Sequence, residues 1–233
     1  SSRRLKSDLR TLLRDIAQPV AVVTSFMPHS HSHPHQGGKA VCPENGSPYH
    51  GATLSSFTSI AMDPYPLVSF ALRIPSRMAT TLSSLSSLPF SSASSAHMVI
   101  NLLSSSQAST ALAFSRPDLF PAPFLGSTSS PASGRIETDA IPYTLSQDGL
   151  PIINDVIGAL SCELVGGPIA LHDLEYLSRA SDSPPSVPVL RPGEVASELF
   201  IARVVRVEEV KRDAQEDERT LQPLIYHRRG YTS

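Results

Sequence analysis

Two cysteines in 233 residues, Cys42 and Cys162, are too few and too far apart for a disulfide scaffold or a zinc site with paired ligands, and their scarcity fits a reducing compartment. Neither sign of charge is in excess. Nineteen Lys and Arg against 21 Asp and Glu leave a formal net charge of −2 with the basic residues scattered, which excludes the footprint of a nucleic-acid or anionic-membrane binder. No apolar run approaches the roughly 20 residues of a membrane-spanning helix. Also missing are a G-x-S-x-G elbow, a P-loop, a G-x-G-x-x-G turn and any pair of carboxylates at an apolar strand end. Hydrolases and Rossmann-type dinucleotide folds lose weight accordingly.

What remains is a chain that is 40% hydrophobic and 17% charged, enough for one large domain over residues 1–233. Leu5, Leu9, Leu12, Leu13 and Ile16 recur at helical spacing, so an amphipathic helix is expected before Pro19. A strand follows from Val20. The Pro-, Gly- and His-rich stretch 27–49 reads as a long hairpin loop, and the return limb starts near Gly51. LVSFAL (67–72) reads as a buried strand, and Ser76 stands where an N-cap would precede a short helix, RMATTLSSL. HMVINLL (97–103), a helix around 107–114, ALSCELV (159–165), LFIARVVRVEEV (199–210) and PLIYH (223–227) follow. Six or seven strands against three short helices, with no βαβ rhythm, predict a mostly β, mostly antiparallel barrel or sheet.

The tract HSHSHPH places His29, His31, His33 and His35 at alternate positions. Pro34, Gly37 and Gly38 argue for a loop, not a strand with four imidazoles on one face, and no metal site is expected there. His50 and His227 flank strands and are open to a structural or a site role. The most informative segment is GATLSSFTSIAMDP, where Thr53, Ser55, Ser56, Thr58 and Ser59 interrupt an apolar strand and turn. A hydroxyl buried without a partner costs about 1–3 kcal/mol, so these five must face water, cap backbone groups or bond a polar ligand. Ser76 and Arg77, at a helix start one strand further on, offer a hydroxyl, a guanidinium and free N–H groups, the makings of a site for a phosphate monoester. A flat heterocycle with a phosphate tail would satisfy both features.

HGATLSSFTSIAMDPYPLVSFAL, IPSRMATTL, HMVINLL with the Gln-containing helix after it, and PLIYHRRGY resemble, in order, the flavin reductase-like domain of the FMN-binding split-barrel superfamily. The resemblance implies an antiparallel split β-barrel flanked by a few short helices, a homodimer, bound FMN or FAD, and reduction of that flavin by NADH or NADPH. It also implies that Thr53, Leu54, Ser55 and Ser56 line the isoalloxazine and ribityl chain, that Ser59 and Ile60 continue that wall, and that Ala71, Ser76 and Arg77 receive the phosphate. Asn101 falls on a strand position near the flavin. His227, Arg229 and Tyr231 match a C-terminal pattern on the flavin and nicotinamide side, with His227 the nicotinamide-side candidate. No side chain is expected to act as a nucleophile or obligatory acid, since the flavin carries the chemistry.

Two features depart from the family pattern. Ala196 and Ser197 stand where many relatives carry Asp-His, with His172 in the preceding loop as the substitute candidate, and Met78 replaces the Thr that often follows Ser-Arg. The alternative to a reductase is a non-catalytic flavin carrier or accessory subunit, with the insertions near 27–49 and 166–197 as contact surfaces for a protein partner. The basic, Ser-rich start SSRRLKSDLR fits a trimmed mitochondrial presequence, so an intracellular, mitochondrial location is expected over a cytosolic one.

Overall fold

The structure, a computed structural model, describes residues 2–27, 47–86, 95–126, 139–173, 195–212, 221–228 and 230–232. The histidine tract, Cys42, Arg229 and most of both expected insertions lie outside the described residues.

One antiparallel sheet organises the molecule, and it curls until its two ends meet. Its strands are β2 (Ala21–Phe26), β3 (Tyr49–Leu54), β4 (Thr58–Ala61), β5 (Leu67–Ile74), β6 (Met98–Leu102), β9 (Gly158–Leu164), β10 (Ile169–Ala170) and β11 (Ala196–Glu208). The order across it is β3-β2-β6-β9-β11-β5-β4, with β10 on β11. Between β6 and β9, β7 (Tyr143–Leu145) and β8 (Pro151–Ile153) form a small hairpin. A third sheet joins β1 (Gln18–Pro19) to β12 (Ile225–His227) and β13 (Gly230–Thr232).

Alternation of side chains explains why this sequence curls instead of lying flat. Ala21 and Val23 of β2, Met98 and Ile100 of β6, Phe70 and Leu72 of β5, and Phe200 and Ala202 of β11 all face one interior. Phe70 and Phe200, directly opposite in register, stack there with ring centroids 5.6 Å apart. The intervening residues Val22 and Val99 face a second core with Ala111, Phe114 and Phe124. A sheet apolar on both faces needs two covers, and two helices supply them.

The inner cover is α2 (Arg77–Ser86), whose Met78, Leu82 and Leu85, spaced by four and three, sit in the barrel core. Ser76 caps it by accepting the Ala79 N–H at 3.2 Å, as the sequence predicts. Its hydroxyl-rich composition does not break the helix because Thr80, Thr81, Ser83 and Ser84 each bond a carbonyl four residues back. Met78, at the position where relatives often carry Thr, is 2% exposed and anchors the helix instead of offering a polar contact. The outer cover is α3 (Ala108–Ser115), which lays Phe114 across Gly51 of β3. The N-terminal α1 (Ser2–Arg14) forms as its period predicts, yet Leu5, Leu9, Leu12 and Leu13 stay exposed.

Candidate functional site

The barrel is split between β3 and β5, which approach without pairing: β3 bonds only β2, and β5 bonds β11 along its whole length but β4 only through Leu67–Ser69. Where β4 stops, Ser56 takes over. Its hydroxyl accepts the Ala71 N–H at 2.8 Å and donates to the Ala71 carbonyl at 3.1 Å, closing one end of the seam. The seam then runs along Gly51–Leu54, a length of about 13 Å for four residues of strand, before it reaches the other end.

That other end is built by His50 and Arg77. Burial, joined by the nearby Arg77 guanidinium and opposed by a bond to the Phe26 backbone, pushes the His50 imidazole down to about 4. Its Nε2 is buried with no hydrogen-bond partner. Arg77 is exposed and stands in the first turn of α2, where unbonded N–H groups and the positive end of the helix dipole collect. An uncharged imidazole, a free guanidinium and a capped helix mouth make a place for an anion at one end of a slot whose other end is a backbone-and-hydroxyl edge.

A model of the flavin reductase like domain matches residues 13–233, nearly the whole chain. The chain belongs to the flavin reductase-like family. Among solved structures it is similar to the NADH:FAD oxidoreductase SgcE6 of Streptomyces globisporus C-1027, seen with NAD and FAD fragments, at 16% identity and TM-score 0.54, over 98% of this chain and 92% of that one. It is also similar to the styrene monooxygenase flavin reductase of Pseudomonas putida S12, at 20% identity and TM-score 0.52, over 96% and 95%. BorF, the flavin reductase component of a bacterial two-component tryptophan halogenase, matches at 18% identity and TM-score 0.51, over 97% and 96%. At such identities the likeness is one of fold, the split barrel.

Within this flavin reductase-like domain the residues expected at the cofactor separate into groups. Ser56, Ala71, Ser76 and Arg77 mark the two ends of the seam, and Ser55 is exposed at the turn beside it. Thr53 is half-buried and spends its hydroxyl on the Ala111 carbonyl at 2.6 Å, so it ties β3 to α3. Leu54, 1% exposed, belongs to the barrel core and not to an open wall. Ser59 and Ile60 lie exposed on β4, the last strand of the sheet, where Ile60 falls at a register shift between Ser59 and Ala61.

Asn101 is committed to the protein's own framework. It is fully buried, its Nδ2 donates to the Val22 carbonyl and the Thr24 hydroxyl at 3.2 Å each, and its Oδ1 accepts the Ile153 N–H at 2.9 Å. Thr24 in turn donates to the Pro151 carbonyl at 2.7 Å. The amide is the polar joint between β2, β6 and β8, with both of its N–H groups committed to β2.

His227 and Tyr231 sit on the C-terminal hairpin. Tyr231 packs against Tyr226 with centroids 5.5 Å apart, and burial raises its phenol while a bond to Ser115 at the end of α3 opposes the rise. Since α3 touches β3 through Phe114 and this hairpin through Ser115, it is the element that connects the hairpin to the seam. Arg229 lies outside the described residues.

One half-buried carboxyl of β11 has no place in the sequence reading. Glu198 occupies an inward position of β11, in step with Phe200 and Ala202, and burial raises its carboxyl while the nearby His172 pulls it back. The signal was present in ELFIA, where a charged residue holds an apolar beat of the alternation.

Proposed function

We propose that this chain binds FMN along the β3/β5 seam and reduces it with NADH or NADPH. The phosphate sits on Arg77, the N–H groups at the start of α2 that the Ser76 cap leaves unbonded, and the O–H of Ser76; the ring system lies toward Ser55, Ser56 and the Ala71 edge. The observation that carries this reading is the pairing of ends: an exposed guanidinium beside an uncharged imidazole at one end, a strand edge finished by a hydroxyl at the other. His50 fits the group as well, because its unpartnered Nε2 lies beside Arg77 and lacks a hydrogen bond that a phosphate oxygen or ribityl hydroxyl can complete.

When bound, the flavin supplies the hydride-accepting chemistry. The chain's own residues bind the phosphate, fix the ring against a stiff β-ladder and hold His50 uncharged at neutral pH, so Arg77 alone neutralises the ester. Cys162 takes no part: burial inside the barrel pushes its thiol up to about 12. FMN is favoured over FAD because the seam ends at the helix mouth that would take a terminal phosphate.

The test is a titration of the flavin-free protein with FMN and FAD, read by flavin fluorescence, followed by anaerobic mixing of the loaded protein with NADH or NADPH. Bleaching of the flavin absorbance supports a reductase. Tight flavin binding without bleaching at millimolar nucleotide points to the carrier, and no binding of either flavin removes the proposal.

A further inference from the structure

We infer that His50 is a specificity residue of the phosphate pocket: its Nε2 accepts a hydrogen from the flavin phosphate, so the pocket takes a singly protonated monoester. The inference rests on the reading of the β3/β5 seam as the flavin site with Arg77 at its phosphate end.

Parity along β3 sets the direction of the ring. Ala52 and Leu54, two and four residues on, pack in the barrel core that α2 covers, so His50 stands on that same face, beside Arg77. One of its nitrogens is committed and the other is not. The bond to the Phe26 backbone favours the charged ring, which marks Phe26 as offering its carbonyl and the imidazole as donating an N–H. Since Nε2 has no partner, the donating nitrogen is Nδ1. Burial and the neighbouring guanidinium keep the ring uncharged at neutral pH. A neutral imidazole with its hydrogen on Nδ1 has only a lone pair at Nε2. The bond still to be made beside Arg77 therefore needs a donor.

The groups around the ring do not supply one. Across β2 it is opposite Ser25, whose hydroxyl donates to the His97 carbonyl at 2.9 Å, and the His97 ring turns to β9, where its Nδ1 accepts the Leu164 N–H at 3.0 Å. Arg77 is the one charged side chain of α2, and α3 has none. Arg73, the one charged residue of β5, alternates with Leu72 and so faces away from the barrel core.

The chemistry of this end selects the ligand. A phosphate monoester loses its second proton at about pH 6, so singly and doubly charged forms are both at hand near neutrality. The doubly charged form presents only lone pairs, and the Nε2 lone pair repels them. In the singly charged form the P–O–H donates to Nε2, and the remaining oxygens accept from Arg77 and the free N–H groups of α2. Charge closes as well, one negative ester against one guanidinium. FAD buries the same phosphate in a diphosphate bridge, which carries no hydrogen near neutrality and cannot make this bond. No covalent bond forms or breaks; one proton enters from solvent with FMN and is shared between the phosphate oxygen and Nε2.

Calorimetric titration of the flavin-free protein with FMN, FAD and riboflavin tests the assignment. From about pH 7 to about pH 8 the FMN dissociation constant is expected to rise about tenfold, because the proton it needs grows tenfold scarcer, while those of FAD and riboflavin stay level. Buffers of different ionisation heat count the proton directly: about one taken up per FMN at about pH 8, and none per riboflavin. In His50→Gln, whose amide donates to a doubly charged phosphate, the FMN slope is expected to vanish while riboflavin affinity holds. A level FMN constant with no proton taken up, or a slope that survives in His50→Gln, overturns the inference and leaves the proposed function standing. FMN bound no more tightly than riboflavin at either pH overturns the phosphate end of the proposed function, and this inference with it.

Discussion

The hydroxyl of Ser56 is bonded to both the N–H and the carbonyl of Ala71, so one side chain does for β5 what the next residue of β4 would have done. Removing it in Ser56→Ala should lower stability by about 1 kcal/mol, since the two backbone groups are exposed enough to find water. The denaturation midpoint measures that part. Flavin affinity should fall as well, because the freed strand edge relaxes into the seam; an unchanged FMN dissociation constant would show that the ring system lies elsewhere.

Arg77→Ala separates phosphate recognition from ring recognition. A charge-assisted contact of about 1.5–3 kcal/mol corresponds to a loss of roughly 10- to 100-fold in FMN affinity. Riboflavin, which has no phosphate, should bind the variant and the parent alike. Equal losses for both flavins would place the guanidinium at the ring or outside the site.

Gly51→Ala brings a Cβ to 2.7 Å from two ring carbons of Phe114 and to 3.2 Å from the Val23 carbonyl oxygen. The ring can move only against Phe124, its neighbour at 5.1 Å, and the carbonyl cannot move without breaking into β2. A destabilisation of about 1–3 kcal/mol is expected. Combining the change with Phe114→Leu should recover part of it, and purely additive losses in the double variant would argue against direct contact.

Acid should unfold this protein in part through His50. Its folded value lies at about 4 against an ordinary 6.5, so the unfolded chain binds the extra proton first, and stability falls as pH drops from 6.5 toward 4. The full effect is about 3 kcal/mol at most. His97, also lowered by burial with Glu163 opposing, acts in the same direction. Denaturation midpoints of His50→Gln across that range should show a shallower slope than the parent; parallel curves would contradict the burial of this ring.

Asn101→Leu should cost about 3 kcal/mol, because the change leaves the buried Ile153 N–H without its acceptor and takes a donor from the Val22 carbonyl and the Thr24 hydroxyl. FMN affinity of the folded fraction should stay at the parent value. A selective loss of flavin would restore Asn101 to the site.

Much of the architecture was written in local pattern. The strands LVSFAL and HMVINLL, the Ser76 cap and the helix behind it appear where period and capping chemistry put them, shifted by one or two residues at their ends. Short pieces escaped: Pro151–Ile153 and Ile169–Ala170 are too brief to show a period, and only their partners make them strands. The hydroxyls of the 53–59 segment were visible as an anomaly, but composition does not say which of them meets a carbonyl of α3, which meets β5 and which meets solvent. The family resemblance alone puts Asn101 near the cofactor. Parity along β6 turns it to the opposite face, where three strands need an amide.

β11 runs through thirteen residues, laddered over Ala196–Arg203 to β5 on one side and to β10 and β9 on the other, with one register shift against β9 between Val204 and Arg206. Whatever rests against Ala71 and whatever rests against Ala170 are consequently spaced by a single plank of backbone. Their separation cannot breathe without tearing a row of amide bonds to carbonyls, and any exchange between two bound partners happens across a gauge set when the chain folds.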